Sequence, residues 1–258
     1  MGGVAVTRSP VAPDLTAEGV TRLGLVALST DLTVEGDARA VLPEGAALHV
    51  SRVAYENPTT PENLRRMAPR LTEAADLLVP GLPLAAIGYA CTAASVAIGD
   101  DAVTAQVARA RPGVPVVTPP AAVLDGFAAL GIRRVALVTP YLRETTEPMA
   151  RFFEAAGLDL VTAHCLGLAD DREIARIAPA TIRAAVEAAD GPGVEGVFLS
   201  CTALRALPEI AGLEARLGKP VLASNQALLW RMLHHAGLAA APGAWGRLFD
   251  VAPMESAA

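Results

Sequence analysis

Short apolar runs alternate along this chain with stretches whose apolar residues recur every three or four positions. The runs LGLVAL (Leu23 to Leu28), ALHVSRV (Ala47 to Val53), LAAIGYA (Leu84 to Ala90) and VPVVT (Val114 to Thr118) are bounded by Gly, Pro or Ser, the pattern of short strands. PENLRRMAPRLTEAADLL (Pro61 to Leu78) has helical spacing, and Pro61 suits a first helical turn. Strands that alternate with helices predict a parallel sheet. Residues 1–21 mix Pro, Gly, Ser and small residues without a period and read as a flexible tail.

The same pattern then recurs. RVALVT (Arg134 to Thr139), LDLVTA (Leu158 to Ala163), VEGVFLS (Val194 to Ser200) and KPVLAS (Lys219 to Ser224) form a second set of strand candidates. Aligned with the first set, they give offsets of 111 positions from Gly24 to Val135, 110 from Cys91 to Cys201 and 105 from Val117 to Leu222. A repeat of that length is too long for a solenoid unit and suits a duplicated domain. The expected fold is therefore α/β, with two pseudosymmetric halves that each carry a four-stranded parallel sheet. The first half spans 22–118 and the second 119–222. Residues 223–258, which include a helix from Asn225 to His235, are expected to pack back on the first half.

Composition narrows the chemistry. With 258 residues and 52% hydrophobic content, the chain can bury a full core without disulfides. Its first twenty residues lack a basic segment followed by an apolar one, which points to the cytoplasm. No stretch of 18 apolar residues predicts a membrane span. A net charge of −6 without a Lys/Arg run offers nothing to nucleic acid. The expected partner is a small molecule, and association into homo-oligomers is compatible with everything above. There is no GxGxxG after a strand, no phosphate-binding loop of the Walker type, and no CxxC or HExxH spacing, so neither a cofactor nor a metal is expected.

Two of the three cysteines stand in near copies of one phrase, LAAIGYACTA with Cys91 and VEGVFLSCTA with Cys201. Each lies at the carboxyl end of a predicted strand, where open parallel sheets bind ligands. Thr-Ala follows each cysteine, so Thr92 and Thr202 are candidate N-caps, and the amides of Thr92, Ala93, Thr202 and Ala203 are candidate anion donors. A helix start also lowers the pKa of a neighbouring thiol. Two such thiols facing one cleft suit proton transfer at a carbon next to a carboxylate, or attack of one thiolate on an activated double bond while the other manages protons. Cys165 in TAHCLGL reads as a structural, buried cysteine, and His234 and His235 as a helix end.

The stretches GLVALSTDLTVE, TTPENLRRM, YACTAASVAIG, LVTPY, LADDREIARIAP, FLSCTALR and KPVLASNQALLW together resemble the aspartate/glutamate/hydantoin racemase superfamily. The likeness is to the branch of maleate cis-trans isomerase, arylmalonate decarboxylase and the ectoine-utilisation protein A group, the last being nearest. That resemblance implies Rossmann-like (flavodoxin-like) halves, an active site in the cleft between them, and cofactor-independent chemistry on a small carboxylate. It further implies Cys91 as nucleophile, Cys201 as acid/base partner and Tyr141 as a donor to the substrate carboxylate. Asp31 and Asp171 depart from it, since maleate isomerases carry Asn there, and Leu28 stands where proline is usual. An ionised Asp accepts hydrogen bonds where Asn also donates. The departure implies a substrate with one carboxylate and a cationic group near Asp31, such as a diamino acid or a cyclic amidine of the ectoine type. Alternatively, Asp31 caps the helix of TVEGD and DDREIARI is an ordinary acidic helix start. The reading that follows is an isomerase or racemase. A decarboxylase and a non-catalytic two-lobed binding protein are the alternatives.

Overall fold

The computed structural model describes residues 4–15 and 19–254. The described part of the N-terminal segment has no helix or strand and is exposed up to Val20. Four strands, β1 (Thr21–Leu28), β2 (Ala46–Val53), β3 (Ala86–Ala90) and β4 (Val116–Val117), form a parallel sheet in the order β2-β1-β3-β4. Four more, β5 (Arg134–Tyr141), β6 (Asp159–Leu168), β7 (Gly196–Leu199) and β8 (Val221–Ala223), form a second parallel sheet in the corresponding order β6-β5-β7-β8. The two-sheet α/β fold expected from the repeated pattern is thus the fold observed.

The central strands are buried along almost their whole length, as strands covered on both faces must be. Close packing reaches the backbone at Gly88 in β3. A Cβ there would come within 2.5 Å of the Met232 sulfur, so only glycine lets the helix Ser224–His235 lie this close to the sheet. That helix also packs on the helices Val34–Val41 and Pro119–Ala129. No helix among the described residues is long and apolar enough to cross a membrane.

Two local expectations fail for identifiable reasons. The segment Pro61 to Leu78 is not one helix. It divides into a helix Pro61–Arg65, a single tight turn Ala68–Arg70 and a helix Leu71–Asp76. Pro69 sits at the break, where it has no amide to donate and its ring crowds the carbonyl four residues back. Cys165 is not buried: β6 is an edge strand, longer than predicted, and Cys165 lies exposed along it.

Candidate active site

β3 ends at Ala90, and Cys91 is the N-cap of the helix Thr92–Ile98. Its sulfur accepts a hydrogen bond from the Ala94 amide at 3.4 Å, and its carbonyl accepts from the Ser95 hydroxyl at 2.9 Å. The amides of Thr92 and Ala93 belong to the first turn, where no carbonyl of the same helix reaches them. Thr92 is therefore inside the helix and does not cap it. Its hydroxyl instead lies 2.7 Å from that of Ser224.

The second copy of the phrase folds differently. No helix begins directly after Cys201; a single tight turn follows at Leu207–Glu209, and the next α-helix starts at Ile210. A helix running from Thr202 would put Pro208 in its interior, where the missing amide would break the ladder. Thr202 is accordingly not an N-cap. It lies in a turn, its hydroxyl donating across to the Ala90 carbonyl at 3.0 Å. Cys201 itself adopts φ of +120°, a conformation that residues with a Cβ rarely occupy. Its amide donates to the Ser224 hydroxyl at 3.0 Å. The Tyr141 hydroxyl and the amides of Ala203 and Leu204 lie close enough to its sulfur to favour the thiolate.

Asp171 lies close enough to both cysteines for its charge to act on each. Its carboxylate accepts from the Thr30 hydroxyl at 2.8 Å and the Thr59 hydroxyl at 3.4 Å, and Thr59 in turn accepts from Tyr55 at 2.9 Å. The capping role at this helix start falls to Asp170, whose side chain accepts from the Arg172 amide. Asp171 points instead across the junction at the first sheet's loops. Asp31 serves its helix start without being the N-cap, which is Thr33: one carboxylate oxygen takes the amides of Thr33 and Val34, each at 2.8 Å, where the helix Val34–Val41 begins.

The electrostatics are those of a closed, acid-rich site. Cys91 and Cys201 are only 6% and 5% exposed. Burial first, and the Asp171 carboxylate second, raise both thiols: Cys201 is pushed up to about 12 and Cys91 well above its usual range. The helix-start donors do not reverse this, contrary to the lowering expected from the sequence. Desolvation of a fully buried thiolate outweighs one or a few amide bonds. Asp31 rises to about 6, again by burial, and Asp171 rises for the same reason. Tyr141 is fully buried and stays protonated, since burial and then the charges of Cys201 and Cys91 raise it.

Residues 72–249 match the family model described as arylmalonate decarboxylase. The chain belongs to the arylmalonate decarboxylase family. It is 40% identical over 148 residues to the arylmalonate decarboxylase of Bordetella bronchiseptica, a match spanning 55% of this chain and 60% of that protein. It is 31% identical over 243 residues to the maleate isomerase of Nocardia farcinica, covering 89% of this chain and 96% of the relative. A structure of a cysteine-to-serine variant of Nocardia farcinica maleate cis-trans isomerase, with a covalently bound succinylcysteine intermediate, superimposes with a TM-score of 0.81. That match has 29% identity and covers 90% of this chain and 98% of the other.

In this member of the arylmalonate decarboxylase family, Cys91, Cys201, Tyr141 and Asp171 converge. Thr92, Ala93, Thr202 and Ala203 surround them through backbone or side chain, and Asp31 lies beside Asp171 at a helix start. Sequence reasoning missed Tyr55, Thr59, Ser224 and Asn225. All four stand just past the carboxyl ends of β2 or β8, so the strand-end rule that picked out the cysteines would have found them too.

Proposed function

We propose that this protein is a cofactor-independent isomerase acting on a small carboxylate through Cys91 and Cys201. The observation that carries the reading is the convergence of two buried thiols, one from each sheet, on Tyr141 and Asp171. In the reaction, Cys91 passes its proton to the neighbouring Asp171 carboxylate, its thiolate adds to a carbon of a double bond conjugated to the substrate carboxylate, and the displaced electron pair moves onto that carboxylate. The amides of Thr92 and Ala93 and the Tyr141 hydroxyl are placed to hold the resulting charge. Cys201 then gives its proton to the neighbouring carbon, leaving a saturated thioether free to rotate. The reverse sequence, in which Cys201 recovers the proton and the C–S bond breaks, releases the other geometric isomer. The same pair could racemise a carbon next to a carboxylate by removing a proton on one side and returning one on the other.

The charge of the site bears on the substrate. A dicarboxylate would bring a second anion toward Asp171 and Asp31, and two unit charges about 4 Å apart at an intermediate dielectric repel by roughly 4 kcal/mol. An ammonium or amidinium group beside Asp171 would instead compensate it and remove the repulsion that keeps both thiols protonated. This supports a substrate with one carboxylate and one cationic nitrogen. Asp31, already bonded to two amides, contributes background charge more than direct recognition.

The test is incubation in deuterated water with maleate, with unsaturated amino acids and with cyclic amidine carboxylates, followed by proton NMR. Isomerisation or exchange that is lost in both Cys91→Ser and Cys201→Ser is expected, and turnover surviving in either would overturn the two-thiol reading. The stretch of 40% identity to a decarboxylase favours a second reading, loss of carbon dioxide from a disubstituted malonate with protonation by Cys201. With a disubstituted malonate added to the same panel, it would appear as loss of one carboxylate with deuterium at the carbon that carried it.

A further inference from the structure

We infer that Ser224 is a positioning residue that locks the two cysteine turns to one another, a role that rests on the two-thiol reading above. Its hydroxyl oxygen accepts the Cys201 amide at 3.0 Å and lies 2.7 Å from the hydroxyl of Thr92, the residue directly after Cys91. One fully buried atom on the helix Ser224–His235 thus holds the Cys201 turn of the second sheet and the Cys91 helix of the first.

The Cys201 turn needs such a hold. At φ of +120° a residue with a Cβ is strained, and strain of that kind persists only where surrounding bonds over-determine it. Here those bonds come from outside the turn. Besides Ser224, Asn225 donates to the Thr202 carbonyl at 2.8 Å, Thr33 donates to the Ala203 carbonyl at 2.7 Å, and Thr202 donates to the Ala90 carbonyl at 3.0 Å. Asn225 is itself fixed by Asp37, whose carboxylate accepts from the same amide nitrogen at 2.8 Å. Of these contacts, the Ser224 bond is the one that acts on Cys201 itself. Without it the Cys201 amide is buried and unsatisfied, so the turn relaxes toward an ordinary φ and carries the sulfur away from Tyr141 and from Cys91.

Alkylation by iodoacetamide, followed residue by residue by peptide mass spectrometry, reads this without any substrate, and exposed Cys165 serves as an internal standard. Ser224→Ala is expected to raise the rate at Cys201 by about tenfold or more relative to Cys165, the scale of losing one buried hydrogen bond. Ser224→Thr, which keeps the hydroxyl, should restore it. With a substrate in hand, kcat should fall by about tenfold or more in the alanine variant while KM changes little, as expected when alignment and not binding is lost. Thr92→Val supplies a second arm, since it removes only the Cys91 side of the bridge and should raise alkylation at Cys91 alone. Unchanged Cys201 alkylation in folded Ser224→Ala, or unchanged Cys91 alkylation in Thr92→Val, would overturn the inference. Because alkylation needs no turnover, failure to find a substrate would count against the proposed reaction and leave this test intact.

Discussion

Replacing Asp31 with Asn should change the pH dependence of stability in a defined window. In the folded protein burial holds Asp31 at about 6, against 3.8 for an unhindered aspartate. Between those values the unfolded chain ionises while the folded one keeps its proton, so the stability present below about pH 4 is lost as pH rises through 6. At 1.36 kcal/mol for each pH unit of difference, the loss is about 3 kcal/mol. Asn keeps an acceptor for the Thr33 and Val34 amides, so the helix Val34–Val41 should be unaffected. Asp37, also raised to about 6 by burial, contributes a similar decline of its own, with Asp31 as one of the charges that raise it. Urea unfolding from pH 4 to 7.5 should therefore show wild type losing stability across the window and Asp31→Asn losing about 3 kcal/mol less. The variant should exceed wild type by up to about 3 kcal/mol at pH 7.5 and match it near pH 4. An equal decline in both proteins would refute the reasoning, because it would mean that Asp31 enters the folded state already charged.

Cys91→Ala and Cys201→Ala should each abolish isomerisation in the NMR assay while costing about 1 kcal/mol of stability, small enough for the far-UV circular dichroism to stay native. Tyr141→Phe should slow turnover by roughly 10 to 1,000-fold, the contribution of about 1.5 to 4 kcal/mol from a donor aimed at developing charge in a dry site. An unchanged rate would assign that hydroxyl to packing alone. Asp171→Asn should speed alkylation of both buried thiols at pH 8, because the Asp171 carboxylate is, after burial, the largest influence that keeps them protonated. The same variant should bind maleate more tightly than wild type by isothermal titration, and weaker binding would contradict the charge argument.

The strands were legible because each is a short apolar run cut off by Gly, Pro or Ser, and burial on both faces leaves such runs no other use. The repeat made the two sheets legible as well, since strands with matched offsets took matched places in their orders. What the pattern concealed was local. Pro61 starts a helix, as its position predicts, while Pro69, eight residues on, interrupts the spacing that predicts one continuous helix. The identical Cys-Thr-Ala phrases suggested identical turns, yet the residues that decide the outcome lie further along: ASVAIG continues a helix, whereas RALPEI places Pro208 against one. The raised thiol pKa values could not be read at all, because they follow from burial and from Asp171, which is 80 residues from Cys91 in the chain.

That divergence of two equal phrases also separates the cysteines chemically. Cys91 sits at a regular helix start where only the Ala94 amide meets its sulfur, and the first-turn amides beside it remain directed at whatever lies in the cleft. Cys201, held in its unusual turn, has a hydroxyl and two amides turned onto the sulfur itself. Donors on the sulfur favour its thiolate and offset part of the rise that burial imposes. Cys91, with one amide on its sulfur, is held protonated by burial and by Asp171, so a positive charge beside Asp171 would favour its thiolate. In the proposed reaction, addition to and elimination from a double bond would use this as a division of labour, with Cys91 as the nucleophile and Cys201 as the acid/base thiol. A helix after Cys201 like the one after Cys91 would have made the two thiols equivalent and removed that division.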